Sequence, residues 1–158
     1  MNLGRVILKM IDLSIVVPCY NEHDNITELY ERLIKTFNKN KLDLDKIILI
    51  DDGSNDNTWN KISQLQQLNK KEILGIKFSR NFGHQNAVIA GLTYCKSDFV
   101  LIIDADLQDP PELIIEFIKH WNSGFKVVAG KRKDREENFI MRNIRKIYYR
   151  IITAIAEF

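Results

Sequence analysis

The sequence predicts an α/β domain built on a mostly parallel sheet flanked by helices. Three observations lead there: short continuous apolar runs, helical-period segments alternating with them, and short connections throughout. Runs that are apolar at successive positions suit strands covered on both faces, as parallel strands are.

The elements follow in order. "LSIVVP" (13–18) is the first strand. "NITELYERLIKTF" (25–37) is a helix with Ile26, Leu29, Tyr30, Leu33, Ile34 and Phe37 on one face, and Asn25 with Glu28 forms a capping-box pattern at its start. "KIILIDD" (46–52) is the second strand. "NTWNKISQLQQL" (57–68) is the second helix, carrying Trp59, Ile62, Leu65 and Leu68. "ILGIKFS" (73–79) is the third strand, and "QNAVIAGLTYC" (85–95) a helix in which Gly91 permits close packing on the sheet. "DFVLIID" (98–104) is the fourth strand, and "PPELIIEFIKHW" (110–121) a helix opened by Pro111, whose missing N–H does no harm in a first turn. "FKVVAG" (125–130) is the expected fifth strand.

Composition bounds the rest. The 158 residues are 45% hydrophobic and 28% charged, an ordinary globular mix, and a chain of this length buries roughly 70% of its unfolded surface. The net charge of +2 excludes no partner and gives no ground for nucleic acid. The two cysteines, Cys19 and Cys95, have no metal-type spacing and fit a reduced, cytoplasmic state. The opening "MNLGRVILKMIDLS" lacks the apolar core and small-residue cleavage site of a signal peptide, so residues 1–11 are expected to be an N-terminal extension. No stretch approaches the length of a membrane span, about 18 apolar residues.

Ligands of such sheets bind outside the carboxyl ends of the strands. The expected strands end in "PCYNE", "DDGSND", "SRNFGHQ" and "DADLQD", so four polar clusters reach one edge. Asp104 and Asp106 are two apart in an extended segment and face one point; such a carboxylate pair suits Mg²⁺ or Mn²⁺ rather than zinc, with Gln108 able to add a carbonyl oxygen. Taken alone, a D-x-D is as well read as a turn, and Asp109, before Pro110 and Pro111, keeps that reading. Asp51 or Asp52 can accept from a ribose hydroxyl or a base N–H, with Gly53 allowing a tight turn or a close backbone approach. Ser54, Asn55 and Asp56 read as caps of the next helix. Tyr20 can stack on a base or pack in the core, and Glu22 can accept hydrogen bonds. His23, His84 and His120 form no ligand-spaced cluster. Glycine-rich dinucleotide and P-loop signatures are missing, as is a nucleophile elbow.

Together, "VVPCYNE", "IDDGSNDNT", "SRNFGHQNAVIAG" and "DADLQDPPE" resemble the family-2 glycosyltransferases of GT-A (Rossmann-like) fold. Within them they look like the polyprenyl-phosphate branch, that of dolichyl-phosphate mannose synthase and bactoprenol glucosyltransferase. The resemblance runs over residues 12–152. It implies inverting transfer of a sugar from a UDP- or GDP-linked donor to a polyprenyl phosphate, with Mg²⁺ or Mn²⁺. By the same resemblance Pro18, Tyr20, Glu22, Arg80, Ala105 and Asp51 or Asp52 bind the nucleotide. Asp104, Asp106 and Arg132 act in catalysis, and Asp104, Asp106 and Gln108 hold the metal. Asn81 and Gln85 match the family's loop without an assigned role. Two other readings stay open: a silent nucleotide-sugar-binding or assembly module needing a partner, and transfer to a glycan hydroxyl.

The domain is expected to span 12–135. Beyond it, Lys131, Arg132, Lys133, Arg135, Arg142, Arg145, Lys146 and Arg150 accompany Met141, Ile144, Ile147, Tyr148, Ile151, Ile152 and Ile155 at helical spacing. A basic amphipathic helix over 136–158 reads either as a membrane-surface element or as one packed on the domain. Its apolar face can also pair with a further segment or a second copy, as in a homo-oligomer. Compared with the family, the chain is expected to lack an acceptor-side, membrane-proximal region, and to work peripherally on the cytoplasmic side of a membrane.

Overall fold

The computed structural model describes residues 12–131. The chain falls into two compact units, Met1–Lys119 and His120–Phe158. The first contains a four-stranded, all-parallel sheet of β1 (Leu13–Cys19), β2 (Leu44–Asp51), β3 (Ile73–Lys77) and β4 (Phe99–Ile102), in the order β3-β2-β1-β4. Between them run α1 (Ile26–Asn40), α2 (Thr58–Leu68) and α3 (His84–Leu92). A 3-10 turn, Pro111–Leu113, leads into α4 (Ile114–Asn122).

All seven residues of β1 are buried, as its unbroken apolar run requires of a central strand. Period-two alternation sends Val16, Ile48 and Ile50 to one face, where they form a core cluster with Ala87 of α3. Ile15, Val17, Ile47 and Leu49 occupy the opposite face, all at most 3% exposed. α1 buries Ile26, Leu29, Leu33 and Phe37 of the predicted stripe, while Tyr30 and Ile34 are half-buried. In α2 the expected stripe is only partly used: Ile62 is fully buried, while Leu68 is 80% exposed at the last turn.

Gly91 answers to its predicted purpose. A Cβ there would lie 2.5 Å from Val16 Cγ1 and 2.8 Å from Ile50 Cδ1, so α3 rides directly on the sheet. Gly91→Ala is therefore expected to destabilise the fold by roughly 1–3 kcal/mol through overpacking, although alanine is the better helix former by about 1 kcal/mol. A shift of the urea unfolding midpoint to lower denaturant is the check; an unchanged or higher midpoint would show that α3 can lift away freely.

Two expectations fail. Residues 125–130 form no strand, and Val127 is 85% exposed. An apolar run supplies strand propensity, but a strand exists only where a neighbour completes its ladder, and no ladder partner is recorded for this segment among the described residues. Asn25 stands at the N-cap of α1 but makes no side-chain cap bond; its amide donates to Glu22 Oε2 at 2.7 Å instead.

At the amino edge of the sheet, Ser14 Oγ donates to Asp45 Oδ2 at 3.1 Å and pairs with the Ser97 hydroxyl, joining the starts of β1 and β2 to the lead-in of β4. The polar groups there satisfy one another. The carboxyl edge is built differently. No described helix is long and apolar enough to cross a membrane. Arg132 and the expected helix over 136–158, like residues 1–11, lie outside the described residues.

Candidate functional site at the carboxyl edge

The segment leaving β1 is laced to the one leaving β2. Asn21, in the left-handed region at φ 57° that asparagine tolerates, donates its N–H to Ser54 Oγ and accepts from Asn55 N, both at 2.9 Å. Glu22 N donates to Thr58 Oγ1 at 2.8 Å. His23 Nδ1 meets Asp56 Oδ2 at 2.8 Å, while Asp56 Oδ1 accepts from Thr58 N at 2.9 Å. Burial pushes the Asp56 carboxyl up, but the hydrogen bonds from Thr58 and His23 outweigh it and hold its pKa at about 2. Of the three expected caps, Asp56 does bond the first turn of α2; Ser54 and Asn55 serve the Asn21 tie.

The segment leaving β3 is fixed by β2. Asp52, only 3% exposed, accepts from Phe82 N at 2.7 Å and Gly83 N at 3.0 Å. Gly53, at φ 70°, lies so close to this segment that a Cβ would fall 2.3 Å from the Arg80 carbonyl carbon. The close approach expected at Gly53 is thus made by the protein's own backbone. Leaving β4, Ile103 and Ala105 are buried while Asp104 and Asp106 are partly exposed, the alternation expected of an extended segment. Asp106 Oδ1 accepts from Gln108 N at 3.0 Å around Leu107, which sits at φ 60°. A left-handed leucine costs about 1–2 kcal/mol, a strain of the kind that collects at functional loops.

These ends enclose a cleft of about 400 Å³, within the usual range for small-molecule sites. Of the sequence-derived site residues, Pro18, Tyr20, Glu22, Asp52, Asp104, Ala105 and Asp106 line it. Asp51 does not: it is fully buried, Oδ1 accepts from Ser54 N at 3.0 Å, and Oδ2 has no hydrogen-bond partner among the described residues. Arg80 is exposed with its guanidinium 4.4 Å from the Phe82 ring centre, and Gln108 is exposed; neither lines the cleft.

The lining also includes Cys19, Asn81, Gly83 and His84. His84 Nδ1 stands 3.7 Å from Asp104 Oδ1. Gly83, at φ 95°, shares the Asp52 carboxylate with its neighbour Phe82. Burial, with Asp51 and Glu22 adding, pushes the Cys19 thiol far up, so it is no nucleophile at neutral pH.

No cluster of three or more His, Cys, Asp or Glu side chains suited to a metal occurs among the described residues. What the cleft offers is the Asp104 and Asp106 carboxylates, with no lysine or arginine in its lining among the described residues. That donor set fits a hard cation such as Mg²⁺ or Mn²⁺, which keeps water or phosphate oxygens in its remaining positions. It does not fit a closed zinc site.

The chain is 39% identical over 148 residues to an uncharacterized glycosyltransferase of Synechocystis sp., covering 93% of this chain and 46% of the relative. It is 32% identical over 145 residues to the undecaprenyl-phosphate 4-deoxy-4-formamido-L-arabinose transferase of Proteus mirabilis, covering 92% and 44%. It therefore spans just under half the length of these relatives. Among solved structures, a mannosyltransferase from Pyrobaculum calidifontis in complex with GDP-Man and Mn²⁺ superposes with a TM-score of 0.56 at 21% identity, over 68% of this chain and 31% of that one. The architecture is the GT-A fold that the motifs led us to expect. The family model for glycosyl transferase family 2 matches residues 14–155, and on that span the chain belongs to this family.

Proposed function

We propose that this chain carries the donor site of an inverting, cation-dependent transferase that moves a sugar from a UDP- or GDP-linked donor onto a polyprenyl phosphate at the cytoplasmic face of a membrane. The observation that carries the reading is the composition of one cleft: Tyr20, Glu22 and Asp52 from two strand ends, and Asp104 and Asp106 from a third. An aromatic ring and hydrogen-bond acceptors suit a nucleoside; a carboxylate pair suits the cation that accompanies a diphosphate. A divalent cation, when bound, would offset the charge developing on the departing diphosphate.

A phosphate acceptor is compatible with the described carboxylates of the cleft as they stand. A hydroxyl nucleophile needs a general base within reach. Here Glu22 accepts from the Asn25 amide, Asp52 holds two backbone N–H groups, and Asp104 and Asp106 are the pair suited to the cation. A phosphate monoester, with a second pKa near about 6, arrives already ionised and asks for no base. The Proteus mirabilis relative, named for an undecaprenyl-phosphate acceptor, supports the same reading.

Calorimetry with UDP and GDP, with and without MnCl₂, is expected to show binding of one of them that needs the cation, and radiolabelled sugar is expected to move to polyprenyl phosphate. If neither nucleotide binds with the cation present, the donor-site reading is wrong. Cation-dependent binding with no transfer to any lipid phosphate would overturn the lipid acceptor and leave a silent binding module or transfer to a glycan hydroxyl.

A further inference from the structure

Among the described residues, the charges lining the cleft do not balance for the ligand proposed above. Glu22, Asp52, Asp104 and Asp106 line it, and among the described residues no lysine or arginine does. Glu22 accepts from the Asn25 amide, Asp52 from two backbone N–H groups and Asp106 Oδ1 from Gln108 N, while the Asp104 and Asp106 carboxylates stay partly exposed in the cleft. A phosphorylated ligand adds charge of the same sign, and like charges at contact range repel. Beyond the cation, two described lining side chains can present an N–H donor, the Asn81 amide and the His84 imidazole, and the imidazole stands 3.7 Å from Asp104. The His84 backbone is well anchored. Gly83 N–H is held by Asp52 at 3.0 Å, and Gly83 O accepts from Asn86 N and Ala87 N, so the first residue of α3 has a set place.

We propose that His84 is a phosphate-binding residue of this cleft, donating a ring N–H to a ligand phosphate beside the cation carboxylates Asp104 and Asp106. The proposal rests on the donor-site reading above. A neutral imidazole carries its N–H on either nitrogen, and a phosphate oxygen selects the form that directs it at the ligand. Two phosphates qualify by this chemistry, the diphosphate of the nucleotide and the monophosphate of the lipid.

The test compares the unaltered chain with His84→Ala and His84→Gln by calorimetry in MnCl₂, against UDP and GDP, the phosphate-free nucleosides, and farnesyl phosphate as a soluble isoprenyl phosphate. His84→Ala is expected to weaken the phosphate ligand by roughly ten- to a hundredfold, as for a lost hydrogen bond to a charged group. Nucleoside binding should not change, and His84→Gln, which keeps an N–H donor, should recover most of the loss. A loss with UDP or GDP assigns the contact to the donor diphosphate; a loss with farnesyl phosphate assigns it to the acceptor. Equal weakening of the phosphate-free nucleoside, or undiminished binding of every phosphate ligand, overturns the proposal. Failure of the unaltered chain to bind any of them instead removes the donor-site reading, and this proposal with it.

Discussion

Gly53→Ala is expected to lower the unfolding free energy by roughly 2–5 kcal/mol, a large share of the 5–15 kcal/mol typical of a domain. Two effects combine. At φ 70° an L side chain incurs about 1–2 kcal/mol, and overpacking adds about 1–3 kcal/mol. The obstacle is backbone: the new Cβ would meet Arg80 C at 2.3 Å, Asn81 N at 2.6 Å and Arg80 Cα at 2.7 Å. That segment cannot simply retreat, because Phe78 N is bonded to Asp51 O, and Phe82 N and Gly83 N to the Asp52 carboxylate. Either the loop gives up those bonds or the turn at 53 distorts, and both outcomes move the wall carrying Asn81 and His84. Gly124→Ala is the control, since its φ of 99° is also left-handed but nothing lies within 4 Å of the added carbon. Chemical denaturation should show the larger loss at Gly53; equal losses would mean that backbone strain alone acts and the close approach is unimportant.

The contrast between these glycines shows what can and cannot be read from the chain. Strands β1 and β2 announce themselves, because burial on both faces demands an unbroken apolar run, and "LSIVVP" and "KIILIDD" have one. The edge at which the polar clusters gather follows from the parallel arrangement alone. Which of two adjacent acids faces the cleft does not follow. Asp51 and Asp52 alternate sides, and the choice is made by the pairing of Cys19 with Asp51 and by the loop that Asp52 captures 30 residues away. The same applies to His84, whose place beside Asp104 joins the ends of β3 and β4. "FKVVAG" erred in the opposite sense: its composition is that of a strand, but composition does not supply a partner. Patterns within one element were legible; apart from the close packing at Gly91, the contacts that close between elements were not.

Asp104→Asn with Asp106→Asn should separate stability from binding. The two carboxylates come from one extended segment and line one cleft with no lysine or arginine in its lining among the described residues, so without a cation they repel each other. Removing both charges is expected to leave the unfolding midpoint unchanged or slightly raised. Asparagine keeps a side-chain oxygen for the bond from Gln108 N, so the turn at Leu107 need not open. Cation-dependent binding of UDP or GDP should fall at least about a hundredfold, because loss even of groups that merely support metal ligands weakens metal sites by about 10–100-fold. The combination is the informative part. A residue kept for folding loses stability when it is neutralised, whereas one kept for a ligand loses only the ligand, and functional sites characteristically hold such unfavourable arrangements. Thermal denaturation without cation, set beside calorimetry with MnCl₂, reads both quantities on the same protein. A lowered midpoint with nucleotide affinity intact would assign Asp104 and Asp106 to the architecture of the turn and leave the cleft without its cation carboxylates.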